Sequence, residues 1–574
     1  MNCEFVSEFR RLSKLSAEAV ENLESFNPIK EYLHVFRNTE QDLKALLSKV
    51  SSVDHKQLIL VCGSAGDGKS HLLSYLKHID PERPLENYEI INDATESNAP
   101  NETAIETLAG KISAFNDDNI GDGGNEKIVL AINLGMLNNF IDSDIGASFT
   151  QLRLYVENNN IFSVMPPLDI DVDSVFQHID FSDYQLYSLT KDGTTSAYLS
   201  NLIEKVFAVD DANPFYEAYK KCSACPQHAH CPVKNNFEFL MAQNIQEVLI
   251  QRIIEVCIKE KLIITSRDVL NFLYDIIIPS DFDGSKLWDS LSKPLDFLTS
   301  YISFTTPMLL FSNVGTSSLL DHISANINRS GMVDDRDTDV LAFYAAEDVR
   351  PIVKSVLGST VYSNIIDSEV LASVDNTSED LKKYVFKFLM NYKLLSDLSL
   401  IEKDEVYSGF VRDLYYSLAG EKAKLKTLYN SVKESIYAWD GVYGDDLICI
   451  DDADDHFSIL EQLSFKPDVL TGDPKDEYYR FPPTISVKFR NEADTEYVGM
   501  TLDYSLYKLI MEMKKGYRPT AQDRNTHTEF ASNIRALTDF GSKKNKILIV
   551  SKNPNSNKRY VFEESDFGFE FKEI

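Results

Sequence analysis

Cations and cysteines are what this 574-residue chain has little of. Lys and Arg total 57 against 89 Asp and Glu, a formal net charge of −32. That deficit excludes a globally basic, sequence-blind nucleic-acid binder, because such a surface must lay cations along the phosphates. Contact with DNA through a local patch or through a partner stays open. Seven Cys, four of them scattered, do not make a disulfide scaffold. No apolar run approaches the roughly 20 residues that cross a bilayer. Met1–Arg11 has no apolar core ahead of a small-residue cleavage site. These absences predict a reducing, cytoplasmic protein without a membrane span. Solenoid-length repeats and extended low-complexity tracts are missing too.

What is present is a foldable globular composition, 43% apolar and 25% charged. The length predicts roughly three or four domains. Short apolar runs stand at Gln57–Cys62, Tyr88–Asn92 and Lys127–Asn133, with a weaker one at Tyr184–Thr190. Helical patterns separate them, at Thr39–Val50, Lys69–His78 and Glu102–Phe115. Buried runs alternating with helices predict a parallel sheet covered on both faces. The pattern turns helical over Phe237–Ile278, and the chain ends in a strand, a polar turn and a strand, Lys546–Ser551 and Arg559–Glu563.

Gly63-Ser-Ala-Gly-Asp-Gly-Lys-Ser70 fits G-x-x-x-x-G-K-[ST] between a strand and a helix. Its glycines let the backbone wrap a phosphate, and the freed N–H groups and the helix N-terminus supply positive dipole. Lys69 brings a charge to the β/γ-phosphates of ATP, and Ser70 a ligand for Mg²⁺. The candidate nucleotide-binding set is therefore Gly63, Ser64, Ala65, Gly66, Asp67, Gly68, Lys69, Ser70 and His71, with Asn133. The fold class expected is an α/β P-loop NTPase, AAA+/ASCE-like, with a helical lid and mainly helical and α+β C-terminal regions. Upstream, Val35–Glu40 with Leu43, Leu46 and Leu47 is similar to the box that packs on adenine in AAA+ and STAND ATPases. It reads equally as an amphipathic helix capped by Asn38 or Thr39.

Hydrolysis asks for an acid at the end of a buried strand. The best-placed strand ends in Asn133-Leu134, where Asn133 brings no charge and Leu134 stands where a catalytic Glu would polarise water. Asp93 or Glu96 is the substitute candidate, and Asp93 reads also as a turn or helix cap. The Asp451-Asp452 pair lies too far along the chain to join that sheet. Arg267, opening a helix after Ile264, looks like the sensor-2 arginine of a lid; a capped helix with a surface Arg fits as well. Arg329 and Arg336 are weaker candidates for an arginine finger.

Cys222, Cys225 and Cys231, with His228 or His230, have the makings of a tetrahedral Zn²⁺ knuckle, though only one C-x₂-C pair is present. Pro467-Asp468 and Lys488 only superficially match a PD-(D/E)xK nuclease, since the acid before the Lys is absent. Lys543, Lys544, Lys546, Lys552, Lys558 and Arg559 surround the C-terminal hairpin. They suit either a phosphate backbone or the protection of an edge strand.

Several segments form one set: Leu12–Val20, Phe26–Val35, the Gly63–Ser70 loop, Asn92–Ser97, Leu130–Leu137, Asn213–Tyr216, Cys222–Cys231 and Thr265–Arg267. Together they resemble the DNA phosphorothioation-dependent restriction protein family DptF (DndF), most densely over residues 1–280. The resemblance implies an ATP-binding subunit, not the nuclease, acting with DptG-like and DptH-like partners against DNA that lacks the sulfur mark. DNA contact would be direct or through those partners, and homo-oligomers are compatible with it. The expected division is 1–50 helical, 51–240 nucleotide-binding core with the Cys knuckle, 241–380 lid and linker, and 381–574 C-terminal α+β.

Overall fold

Gln57–Cys62 forms strand β1, and every one of its residues is buried. Glu89–Ile91 (β2), Lys127–Ile132 (β3) and Phe176–Asp180 (β4) complete a four-stranded sheet in the order β2-β3-β1-β4. All its pairings are parallel. Alternating side chains enter opposite faces, which explains why the central strands β1 and β3 are apolar after their first residue. Leu58, Leu60, Cys62, Ile128, Leu130 and Ile132 enter one core, with Leu137, Phe140, Leu152 and Val156 from the helices Leu134–Ile141 and Thr150–Asn158. Ile59, Val61, Val129 and Ala131 enter the other, against the helices Asn38–Ser51 and Lys69–His78. Each fully buried aliphatic side chain contributes about 1.5–3 kcal/mol.

The computed structural model describes residues 3–13, 28–64, 67–92, 103–162, 170–280, 282–311, 317–326, 342–366, 379–441, 446–451, 456–469, 472–491, 496–540, 542–553, 558–565 and 568–574. Ala65, Gly66, Asp93, Glu96, Arg329 and Arg336 lie outside them, as does Ser16–Val20.

Beyond the sheet, Tyr184–Thr190 (β5) and Gly193–Thr195 (β6) form a hairpin. Helices follow, among them Ala197–Phe207, Pro214–Lys220, Pro232–Leu240, Gln243–Glu260 and Ser266–Ile277. The last of these starts on a capping box, in which Thr265 and Asp268 each satisfy the other's backbone amide.

The C-terminal strands are β7 Leu447–Asp451, β8 Phe457–Ser464, β9 Lys466–Pro467, β10 Glu477–Arg480, β11 Ile485–Arg490, β12 Tyr497–Leu502, β13 Ser542–Ser551, β14 Arg559–Ser565 and β15 Gly568–Glu573. They form a five-stranded sheet, β15-β14-β13-β8-β7, and a three-stranded one, β12-β11-β9. β7 places Asp451 in a sheet separate from β1. The expected C-terminal hairpin is present as β13 and β14, in register Lys546↔Glu563. β13 also pairs with β8, so it is an interior strand and its lysines guard no edge.

β10 leaves its neighbours in sequence and pairs with β5, making a sheet β10-β5-β6. A single hydrophobic core runs from Phe5 and Phe9 through Phe237, Phe272 and Phe388 to Phe489 and Leu537. The helices Gln243–Glu260 and Ser266–Ile277 and the C-terminal region therefore share one core.

Candidate functional site

β1 delivers the chain to Gly63, whose φ of 145° is open to glycine. A Cβ there would stand 2.7 Å from Asp67 Oδ2 and 3.1 Å from Phe181 Cβ. Gly68, with φ 83°, caps the helix Lys69–His78 in the left-handed region, and the Arg37 guanidinium occupies the place a Cβ would take. Inside the loop, the Ser64 amide donates to Asp67 Oδ2, and Lys69 Nζ donates to the Ser64 carbonyl at 2.6 Å. Asp67 is buried; burial pushes its carboxyl up, against the pull of Lys69. Lys69, Ser70 and His71 are half-buried in the first helical turn.

One pocket opens on this loop, between Gly68, His71 and Leu72 on one wall and Ser266, Arg267 and Leu270 on the other. Tyr198 and Leu202 close its third side. Arg11, Lys30, Arg37 and Arg267 all line it, and among the described residues no Asp or Glu does. In a chain of net charge −32, that composition is a local reversal of sign. Arg37 joins the walls. Its Nη1 donates to the Asp67 carbonyl at 3.0 Å, and its guanidinium lies 5.5 Å from the Tyr198 ring centre. Tyr198 Oη is 2.6 Å from Ser266 Oγ, beside Arg267.

His34 and His71 meet on the pocket wall, Nδ1 to Nε2 at 3.2 Å, and His34 Nε2 reaches Glu40 at 3.3 Å. The His34 ring stacks on Tyr75 at 3.5 Å. Burial, reinforced by His34, Arg37 and Lys30, pulls His71 down to about 3. Val35 and Arg37 line the pocket, whereas Leu43, Leu46 and Leu47 face the sheet core. The segment is thus both wall and amphipathic helix. Its N-cap is Arg37, not Asn38 or Thr39, and the cap makes no side-chain bond.

At the strand ends, Asn133 Oδ1 accepts the Met136 amide at 2.7 Å, so this residue is the N-cap of its helix. Leu134 opens that helix. On the other side of β1, Asp180 ends β4 in register with Cys62. It is buried, accepts the Ser182 amide at 2.9 Å, and its carboxyl is pushed up by burial, with Lys69 and Arg480 opposing. Sequence reading missed Arg37, His34, Asp180 and Arg480. Arg37 was legible in the box before the loop; the other three carry no local motif.

No family model, no curated protein and no solved structure matches this chain. The site therefore rests on its own geometry.

The cysteine knuckle is assembled only in part. Cys222 lies in the turn Lys221–Ala224, and Cys231 caps the helix Pro232–Leu240. Cys222 stands among the thiols of Cys231, Cys3 and Cys225, and burial pushes it up to about 12. Cys3 comes from the chain's start, at the cap of the helix Glu4–Phe9. His228 Nδ1 meets the Cys225 carbonyl at 2.9 Å, and the His230 ring packs on Phe297. Among the described residues no three donors stand at a spacing that would hold a metal ion. Asp468, just after β9, and Lys488 on β11 are an ion pair at 3.5 Å, and Lys488 Nζ sits 3.6 Å over the Tyr497 ring. Ser486, two residues before Lys488, brings no carboxylate to that pair. No described helix is long and apolar enough to cross a membrane.

Proposed function

We propose that the chain binds a nucleoside triphosphate, ATP by the resemblance, with Mg²⁺ at Gly63–Ser70, and that nucleotide state governs its dealings with partner subunits. The observation that carries this reading is the pocket opening on that loop, lined by Arg11, Lys30, Arg37 and Arg267 and, among the described residues, by no carboxylate. The loop residues fit the ligand. Gly63 and Gly68 hold the backbone conformations a phosphate cradle needs. Lys69, resting on the Ser64 carbonyl, exchanges that weak partner for the β/γ-phosphates. Ser70 holds the metal, whose chemistry is to neutralise charge developing on the phosphates. Arg267, facing the loop across the pocket, reports closure of its helix. Asn133 orients water or metal ligands only by giving up its role as a helix cap.

The DptF-like resemblance adds the setting. The chain would be the ATP-binding, non-nuclease member of a restriction complex that attacks DNA lacking phosphorothioate. It would act with DptG-like and DptH-like subunits in the cytoplasm, meeting DNA directly or through them. A second reading, a nucleotide-gated scaffold that binds ATP with little hydrolysis, is favoured by Leu134 and by the engaged Asn133. Fluorescent-ATP binding and phosphate release by wild type, Lys69→Ala and Asp93→Ala, with and without DNA and partners, separate the two. Turnover lost in Lys69→Ala supports the ATPase. Binding without turnover in every condition leaves the scaffold. Failure of the wild type to bind any nucleotide removes both.

A further inference from the structure

Arg480 meets Asp183, 297 residues away in sequence, in the turn packed beneath the nucleotide loop. β10 pairs with β5 antiparallel, Glu477↔Thr190 and Tyr478↔Leu189, and after a break in register Arg480↔Tyr184. Arg480 Nη2 then meets Asp183 Oδ2 at 2.7 Å, with both side chains largely out of water. The guanidinium lies over the Tyr184 ring at 5.9 Å, Tyr184 stacks on Tyr479, and Tyr184 Oη donates to Asp42 at 2.8 Å. Asp183 is the last residue of the turn Phe181–Asp183, which continues directly from Asp180. That turn is pressed on the loop. Phe181 Cβ blocks the space beside Gly63, and Ser182 Oγ donates to Asp67 Oδ2 at 3.5 Å.

We infer that Arg480 is a positioning residue that couples the C-terminal region to the nucleotide loop through the turn Phe181–Asp183. The inference rests on the nucleotide-binding reading above and adds the direction in which the signal leaves the site. Its physical basis is a shared set of charges. Asp67, Asp180 and Asp183 are buried acids under one loop. The cations facing Asp180 are Lys69 and Arg480. A triphosphate that draws Lys69 upward leaves more of that burden to Arg480, so the turn grips β10 harder when nucleotide is bound. Coupling of two binding events is reciprocal: if nucleotide tightens the β10 contact, the contact must tighten nucleotide by the same factor. β10 thus converts loop occupancy into order in a region where partners or DNA can sense it.

The test uses the full-length protein with Mg²⁺ and a slowly hydrolysed ATP analogue. Hydrogen exchange is followed at Tyr478–Arg480 and at Tyr184–Thr190, alongside the affinity for a fluorescent ATP. In wild type, nucleotide is expected to slow exchange at both strands several-fold. Arg480→Gln and Asp183→Asn are each expected to weaken nucleotide roughly tenfold and to abolish the protection of β10, in the range usual for site-to-site coupling. Arg480→Lys should recover part of both, and Arg535→Gln, an equal charge change on an exposed helix position, neither. Thermal midpoints identify a variant that has merely lost its fold, and the wild-type exchange needs no variant at all. Nucleotide that binds normally while β10 exchange is unchanged overturns the coupling and leaves the nucleotide site standing. Absence of any nucleotide binding overturns both.

Discussion

Gly68 illustrates how one residue answers two demands. It needs φ 83°, and the Arg37 guanidinium fills the volume a Cβ would claim. Gly68→Ala is expected to displace Arg37 from the loop and cost about 1–3 kcal/mol, with nucleotide affinity falling alongside. Calorimetric unfolding and fluorescent-ATP titration read the two effects separately; an unchanged midpoint would contradict the strain. Histidines supply a second prediction at this scale. Burial pulls His71 down to about 3 and His178 down to about 4. His178 Nδ1 meets Tyr155 Oη at 2.9 Å while its Nε2 has no hydrogen-bond partner among the described residues. Both folded values lie below the roughly 6.5 of an unfolded histidine, so the unfolded chain takes up protons the folded one refuses. Stability is then full above about pH 6.5 and falls as pH drops toward 4, by at most about 1.4 kcal/mol per pH unit for each. Urea midpoints between pH 7 and 5 should show this slope, and His178→Gln should flatten it.

Helix starts make the sharpest predictions at the level of elements. On the proposed nucleotide-binding reading Asn133 stands where an acid would be expected, and its side chain caps the helix Leu134–Ile141. Asn133→Ala should cost about 0.5–2 kcal/mol, whereas Asn133→Asp keeps the cap and adds a charge near the loop. On that reading, Mg²⁺-dependent turnover raised by Asp would show that the missing charge at this position limits hydrolysis. Equal stability of the Ala and Asp variants would mean the cap contributes nothing. The helix Ser266–Ile277 is set the same way, since the Thr265–Asp268 box fixes where Arg267 begins its reach toward the pocket. Strand exchange is the other lesson here. β10 ignores β9 and β11 and adds itself to β5, which no property of Glu477–Arg480 announces.

Taken whole, the molecule ties its ends together. One core holds Phe5, Phe272, Trp439 and Leu537, so residues 1–280 alone would expose apolar surface that the C-terminal region covers. That fragment is expected to be insoluble or molten. Full-length protein should lose the shared core in one cooperative step, seen as coincident near-UV and tryptophan signals from Trp288 and Trp439. A soluble, sharply melting 1–280 would refute this. The net charge of −32 adds self-repulsion, so raising NaCl from low to physiological strength should lift the melting midpoint.

Three strands of the parallel sheet were legible as apolar runs: β1 and β3 fall where the sequence places them, and β2 lies inside the run assigned to it, whereas β4, with Gln177, His178 and Asp180, announces no apolar run, and the weaker run Tyr184–Thr190 became β5 of another sheet. The glycine-rich loop was legible because backbone conformation forces residue type locally. The helix Lys69–His78 and the helix bearing Arg267 follow from the same short-range rules of caps and periodicity. Burial, strand order and charge pairing are long-range, and sequence spacing does not encode them. Only the tertiary structure brings Arg37 onto Gly68, Asp180 beside Cys62 and Arg480 onto Asp183. It alone gathers cations from four separate segments into one pocket, and makes the lysine-bearing β13 an interior strand. Local sterics and periodicity act within a few residues and are written in order along the chain. The electrostatics of the site come from residues hundreds of positions apart, whose meeting is decided by how the cores close.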